Sequence, residues 1–437
     1  AREAHDKGCT RELRALLDVL ESLPAAVPAL AGLLARTDGA APVAGKGRPR
    51  GSMPPVDERQ VEAAVEAAES ALCVGVRPYR QLPQAFGPEE GLAVLAAMID
   101  RPPKYQEKYL AQELSLLAKV WALAEGAGAA GLPGAGPVAV ARRPAGRGVA
   151  VVDVGAGNGC LALLAAVLLD GIAVLIDHTL PPKELLVEDK VPEPYRGRVL
   201  RITGDVADLD VWRQVVPLLR QHGAEQAVLV AKHLCGVGTD LALGLVHRWC
   251  RGPAEGVVNE GGVALVGAVF ATCCGHKIGA GDRETFAALH AGDEYLGGLT
   301  GGDPARLREL LALCTRCVAW RTTAGALGSR ITGPQVRAAE LFEDALQQPR
   351  LNTLRRIFPV AAEVLFVPSE RSPQNRCLLA GAAEGLRLAG AAGEPGGPGF
   401  SAALGEAKER LLAATGGGAV DLRPHGFVSS KYDYDGT

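Results

Sequence analysis

The chain contains no run of about 18 apolar residues, so no membrane span is expected. It also lacks an excess of positive charge: the formal net charge is −3 and the pI about 6.3. That excludes a general nucleic-acid coat, and any RNA contact must use a local basic patch. Methionine (2 residues) and aromatics (4%) are scarce, whereas Ala and Gly also fill the apparent linkers, as a codon bias would produce. The ten cysteines form no disulfide framework in a chain of 437 residues, and several lie in apolar, strand-like runs. This fits an intracellular, reducing compartment, with cytoplasm, nucleus and organelle equally compatible. No internal repeat is visible.

Leu and Ala recur at helical spacing over 10–36, and helices are also expected over 57–73, 88–100 and 104–126. Gly/Pro/basic stretches at 39–55 and 126–148 read as linkers. The N-terminal helical region is therefore placed at 1–148. Beyond it the pattern becomes strand, helix, strand. Strands are expected at 149–154, 172–176, 199–203, 227–231 and 263–270, with the first helix at 160–169. Such alternation implies an α/β, doubly wound, Rossmann-like parallel sheet. After a mainly helical stretch (281–362), strands at 363–367 and 376–380 flank a hairpin-like junction. An antiparallel last strand is the mark of a class I methyltransferase sheet rather than a dinucleotide-binding one. The domain is placed at 149–385, and a Gly/Pro-rich C-terminal extension with one short helix near 402–414 at 386–437.

Two motifs carry the chemistry. Val151-Val-Asp-Val-Gly-Ala-Gly-Asn-Gly159 joins the first strand to its helix. Gly155, Gly157 and Gly159 let the backbone approach a ligand, and the helix start beyond favours an anionic group. The Gly-x-Gly-x-Gly spacing is commoner in methyltransferases than in dinucleotide folds. Asp153 and Asn158 belong to this loop. Asp177, at the end of the second strand, suits ribose hydroxyls, and Asp205, after the third, suits an adenine amino group. Both acids could equally be helix caps or solvated loop residues. The cofactor expected from this set is S-adenosylmethionine.

The second motif, Lys232-His-Leu-Cys-Gly-Val-Gly-Thr-Asp240, is read as the end of strand four, where a parallel sheet presents its ligands. Thr272-Cys-Cys-Gly-His-Lys277 follows strand five. Lys232 is expected to orient an acceptor oxygen or stabilise charge on it, and His233 to take its proton. Asp240 is expected to orient either residue, or to cap a helix starting near Leu241. Cys235, Cys273, Cys274 and His276 complete the candidate site. The plain alternative is a structural histidine and small buried cysteines.

At these residues the chain resembles the eukaryotic tRNA 2′-O-methyltransferases that modify nucleotide four of the acceptor stem. The resemblance rests on 232–243, on the cysteine pair with His276, on 153–159, and more weakly on 104–117, 205–210 and 319–323. It implies adenosylmethionine as methyl donor and a tRNA ribose hydroxyl as acceptor, with tRNA or another structured RNA as partner. Two departures stand out. The first hundred residues offer only Cys9, Cys73 and His5, too few for a four-ligand zinc site. The Cys-Cys-His-His pattern has also become Cys273-Cys274-Gly275-His276. No metal is therefore expected. Cys314-x-x-Cys317 is half of a zinc spacing with no second pair nearby.

These departures leave a second reading open, a catalytically reduced RNA-binding or scaffold subunit of a larger assembly. A third is methylation of cytosine C5, which needs a thiolate. Loss of transfer on replacing Cys235 or Cys273 with Ala would mark that chemistry. Phosphate contacts are sought at Lys46, Arg48 and Arg50, at Arg142, Arg143 and Arg147, and at Arg355 with Arg356.

Overall fold

The protein is represented by a computed structural model. It describes residues 58–72, 82–130, 148–252, 262–272, 275–327, 333–390 and 398–423. The expected helix at 10–36, the linker at 39–55, and Cys273 and Cys274 lie outside the described residues.

A seven-stranded sheet organises the chain. Its strands are β1 (Val149–Val154), β2 (Ile172–Asp177), β3 (Val199–Thr203), β4 (Gln226–Leu234), β5 (Ala264–Thr272), β6 (Val360–Leu365) and β7 (Arg376–Gly381). Their order is β3-β2-β1-β4-β5-β7-β6. All neighbours pair in parallel except β7, which is antiparallel to both β5 and β6. The chain reverses at β1, and this topological switch point is where an open α/β sheet binds ligands. The order, with its inserted antiparallel strand, is that of a Rossmann-like class I methyltransferase.

Helices α1 (Glu58–Leu72), α2 (Glu90–Met98) and α3 (Pro103–Ala130) precede the sheet. Next come α4 (Cys160–Leu168), α5 (Val216–Gln221), α6 (Gly238–Cys250), α7 (Ala280–Leu289), α8 (Glu294–Thr300), α9 (Pro304–Leu327) and α10 (Gly333–Arg355). The last two are α11 (Ala383–Leu388) and α12 (Pro398–Ala414).

Strand residues are apolar on both faces because helices cover both. Val151, Leu175, Val230 and Leu379 share one apolar cluster with residues of α2, α3, α4, α11 and α12. Val152, Val174, Leu229 and Phe270 share another with α5, α6 and the end of α10. A satellite cluster joins α1, α7, α8, α9 and α10. A short parallel ladder, Ile99–Asp100 with Val420–Asp421, ties the segment before α3 to the segment after α12.

Three expectations are corrected. Helix α3 continues through Ala130 rather than ending in a linker at 126. Its Gly126 serves close approach: a Cβ there would lie 2.2 Å from the backbone nitrogen of Gly385 in α11. Strand β4 spans Gln226–Leu234 rather than 227–231, so Lys232 and His233 lie within its C-terminal end. Helix α6 begins at Gly238, which places Asp240 inside its first turn, not at its cap.

Candidate active site

The glycine loop leaves β1 with Gly155, Gly157 and Gly159 all at positive φ (70°, 54° and 89°), a region that L-residues with a Cβ rarely adopt. Both peptide groups of Gly157 are held. Asp177 Oδ2 accepts its N–H at 2.8 Å, and Arg201 Nη1 donates to its carbonyl at 2.9 Å. Glu188 in turn pairs with Arg201. Asn158 Oδ1 accepts from the backbone of Cys160, at the start of α4. Gly204 N–H bonds the carbonyl of Asp177, so the turns after β2 and β3 lie side by side. Asp205 is exposed and its carboxylate caps the N–H of Ala207 at 2.8 Å.

The glycines have different duties. A Cβ on Gly159 would lie 2.2 Å from Leu175 and 2.6 Å from Val187, whereas one on Gly157 would meet nothing within 4 Å. Gly159→Ala is expected to lower the urea midpoint strongly, through overpacking and backbone strain together. Gly157→Ala is expected to fold at a cost of about 1–2 kcal/mol and to lose cofactor affinity, because its methyl enters the open side of the loop. Equal stability of the two variants would contradict this division.

Asp153 is buried beneath the loop, and its Oδ1 has no hydrogen-bond partner. Burial pushes its carboxyl up to about 7, with Lys232 opposing and Asp177 adding to the rise. A buried acid with one unpartnered oxygen beside an open glycine loop suits a ligand that brings a cation, as the α-ammonium of adenosylmethionine would.

Lys232 stands near the C-terminal end of β4, with 17% of its side chain exposed. Its Nζ donates to Glu113 Oε1 at 2.7 Å. It also lies 4.8 Å from the ring centre of Tyr109. Glu113 comes from α3 and is 1% exposed. It also receives Arg101 through both oxygens, at 3.1 and 2.6 Å. Burial alone would raise the Glu113 carboxyl, but the charges of Lys232 and Arg101 more than offset it and hold it below the ordinary carboxylate range. The motif reading missed Glu113 and Arg101. The available signal was an acid at the start of a largely apolar helical stretch, buried all round from 112 to 124, where a carboxylate is unusual unless it is paired.

The remaining candidates separate. His233 has its backbone in β4, and its side chain lies outside what is described. Asp240, expected to orient Lys232 or His233, is instead fully buried and bound by Arg350 at 2.8 and 2.6 Å and by His290 at 2.8 Å. Arg350 belongs to α10 and His290 follows α7, so this acid fastens three helices together. Cys235 is exposed, with Lys277 Nζ 3.9 Å from its sulfur. A Cβ on Gly236 would lie 2.9 Å from the carbonyl of Lys277, which shows how closely the loops after β4 and β5 pack. His276, half-buried, sits in that second loop.

Cys314 and Cys317 lie in the satellite core, where burial pushes the Cys314 thiol up to about 12 and Cys317 well above its ordinary value. They read as core residues. Arg356 approaches Asp293 at 3.9 Å at the end of α10. The basic groups at 46–50 and 142–147 lie outside the described residues. A hollow of 360 Å³ bordered by Asp170, Arg198 and His222 opens at the opposite, N-terminal ends of β1 and β2, and shares no residue with the site. Among the described residues no helix is long and apolar enough to cross a membrane.

The sheet order and the glycine loop at its switch point define a methyltransferase dependent on S-adenosylmethionine. Residues 147–323 match the family model Methyltransferase TRM13. A solved structure of coclaurine N-methyltransferase bound to N-methylheliamine and SAH is similar at 11% identity, with a TM-score of 0.24. That similarity covers 84% of this chain and 97% of the other. No curated protein matches the chain significantly.

Proposed function

We propose that the protein transfers the methyl group of S-adenosylmethionine to a ribose 2′-hydroxyl in the acceptor stem of a tRNA. The observation that carries this reading is the recessed Lys232, fixed by Glu113 and Tyr109 beside Asp153 and the glycine loop. The family matched over 147–323 supports it.

Adenosylmethionine supplies an electrophilic methyl group when bound. Gly155, Gly157 and Asn158 line the loop that would receive it, and Asp153 offers an unpaired carboxylate oxygen. Asp177 and Asp205 stand at the ends of β2 and β3, on the side where the ribose and adenine are expected. Asp177 would have to share its carboxylate with the N–H of Gly157. Lys232 donates a hydrogen bond to the acceptor oxygen and stabilises the negative charge that develops as its proton leaves. His233 is assigned the proton.

The role of Asp153 predicts a pH dependence. Its carboxyl, raised to about 7, is largely neutral below that pH and charged above it. A ligand ammonium favours the charged form, so affinity should rise with pH. We expect adenosylmethionine binding, measured calorimetrically without RNA, to tighten roughly fivefold between about pH 6 and 7.5. Asp153→Asn should bind weakly and lose the slope. A flat profile in the native protein would remove Asp153 from the cofactor contact.

The whole reading is tested by incubating the protein with adenosylmethionine and unmodified tRNA and analysing the digested nucleosides by mass spectrometry. New 2′-O-methylated nucleosides are expected. If cofactor binding is absent as well as methylation, the reading fails in favour of a fold retained for its surface.

A further inference from the structure

Tyr105 and Tyr109 occupy the first two turns of α3, one helical turn apart, and their rings stack with centres 6.2 Å apart and planes 16° from parallel. In a chain with so few aromatics this pair stands at the mouth of the site. Lys232 Nζ lies 4.8 Å from the Tyr109 ring centre and Lys108 Nζ lies 5.3 Å from it. Both tyrosines are half-buried, and Lys104 and Lys108 beside them are exposed. The start of the helix is pinned from within. Arg101 Nε donates to Gln106 Oε1 at 2.9 Å, Gln106 Nε2 donates to the carbonyl of Ile99 at 3.0 Å, and Arg101 is clamped by Glu113. The ring pair is thus held in place by the same buried charge cluster that fixes Lys232.

We infer that Tyr105 and Tyr109 form a stacking platform for the nucleobase of the nucleotide being modified, with Lys104 and Lys108 meeting its flanking phosphates. This rests on the RNA-methylating reading above and deepens it. Lys232 is recessed, so a ribose hydroxyl that reaches it must bring its nucleotide away from the helical stack. The base then loses its neighbours and needs a flat, apolar partner. Aromatic side chains provide this for any base, because every base has a π-face. Lysines at the rim supply charge to the backbone without reading sequence. The substrate class is therefore an RNA whose target nucleotide is splayed out.

The test is a thermodynamic cycle on the 437-residue chain. The methylated nucleotide is first mapped with the native protein on unmodified tRNA. Equilibrium RNA binding is then measured for intact tRNA and for tRNA abasic at that nucleotide, with native protein, Tyr105→Ala and Tyr105→Phe. The native protein should bind the abasic RNA about five- to a hundredfold more weakly than the intact RNA. Tyr105→Ala should show a similar loss on intact RNA and no further loss on abasic RNA. Tyr105→Phe should restore the native pattern, and unchanged adenosylmethionine binding in all three proteins reports intact folding. Equal affinity of the native protein for both RNAs, or additive losses, would overturn the platform while leaving the methyltransferase reading in place. Failure of the native protein to methylate or bind any tRNA would instead overturn that reading, and the platform with it.

Discussion

Replacing Lys232 with Ala is expected to reduce methyl transfer at least about a hundredfold while lowering adenosylmethionine affinity far less, through the loss of the charge that favours ionised Asp153. The asymmetry follows from position. The glycine loop is held by Asp177 and Arg201, and neither depends on Lys232. The lysine's own bonds run the other way, to Glu113 and over Tyr109. Glu113 keeps Arg101 when the lysine is removed, so the buried carboxylate is not stranded. Single-turnover transfer and calorimetric cofactor binding on the same preparation measure both halves. Native-like transfer would remove Lys232 from the reaction, and an equal loss of cofactor binding would show that it serves the cofactor instead.

Glu113→Gln is expected to have a double effect, and the larger part is on stability. The carboxylate is almost completely buried and neutralises two cations. Its removal leaves Arg101, itself buried, facing a neutral amide, and breaking a buried pair from one side costs about 3–5 kcal/mol. The pH dependence has a definite sign. Because the folded carboxyl titrates below its unfolded value, its contribution is complete above about pH 4–5 and is lost as pH falls through the folded value. The native protein should therefore lose more stability than Glu113→Gln on acidification from about pH 5 to pH 3, as read from urea midpoints. Transfer by the variant should also fall, since Lys232 loses the oxygen that fixes its position. A variant with native stability and native transfer would show that the Arg101–Glu113–Lys232 cluster is incidental.

Much of the architecture is legible in the chain because local pattern and global fold agree. The β-branched run at 149–154 is buried on both faces, and the glycines after it take the positive φ that a tight strand-to-helix turn needs. The antiparallel closing strands announce themselves through the junction at 368–375. What could not be read is long-range pairing. Glu113 and Lys232 are separated by 119 residues, and no periodicity connects an acid in one helix with a lysine in a strand. Asp240 is the converse case. Its place after the Lys-His-Leu-Cys motif suggests chemistry, yet its partner Arg350 lies 110 residues further on and makes it a buried fastener. Element ends shifted for a related reason. Gly126 has low helical propensity, but contact with Gly385 rewards a residue without a side chain and carries the helix onward.

The central claim is methyl transfer to a ribose hydroxyl of tRNA, and nucleoside analysis of tRNA treated with the protein and adenosylmethionine tests it most directly. The account predicts one new 2′-O-methylated nucleoside, present with the native protein and missing with Lys232→Ala. A base-methylated product, or none despite tight cofactor binding, would contradict it.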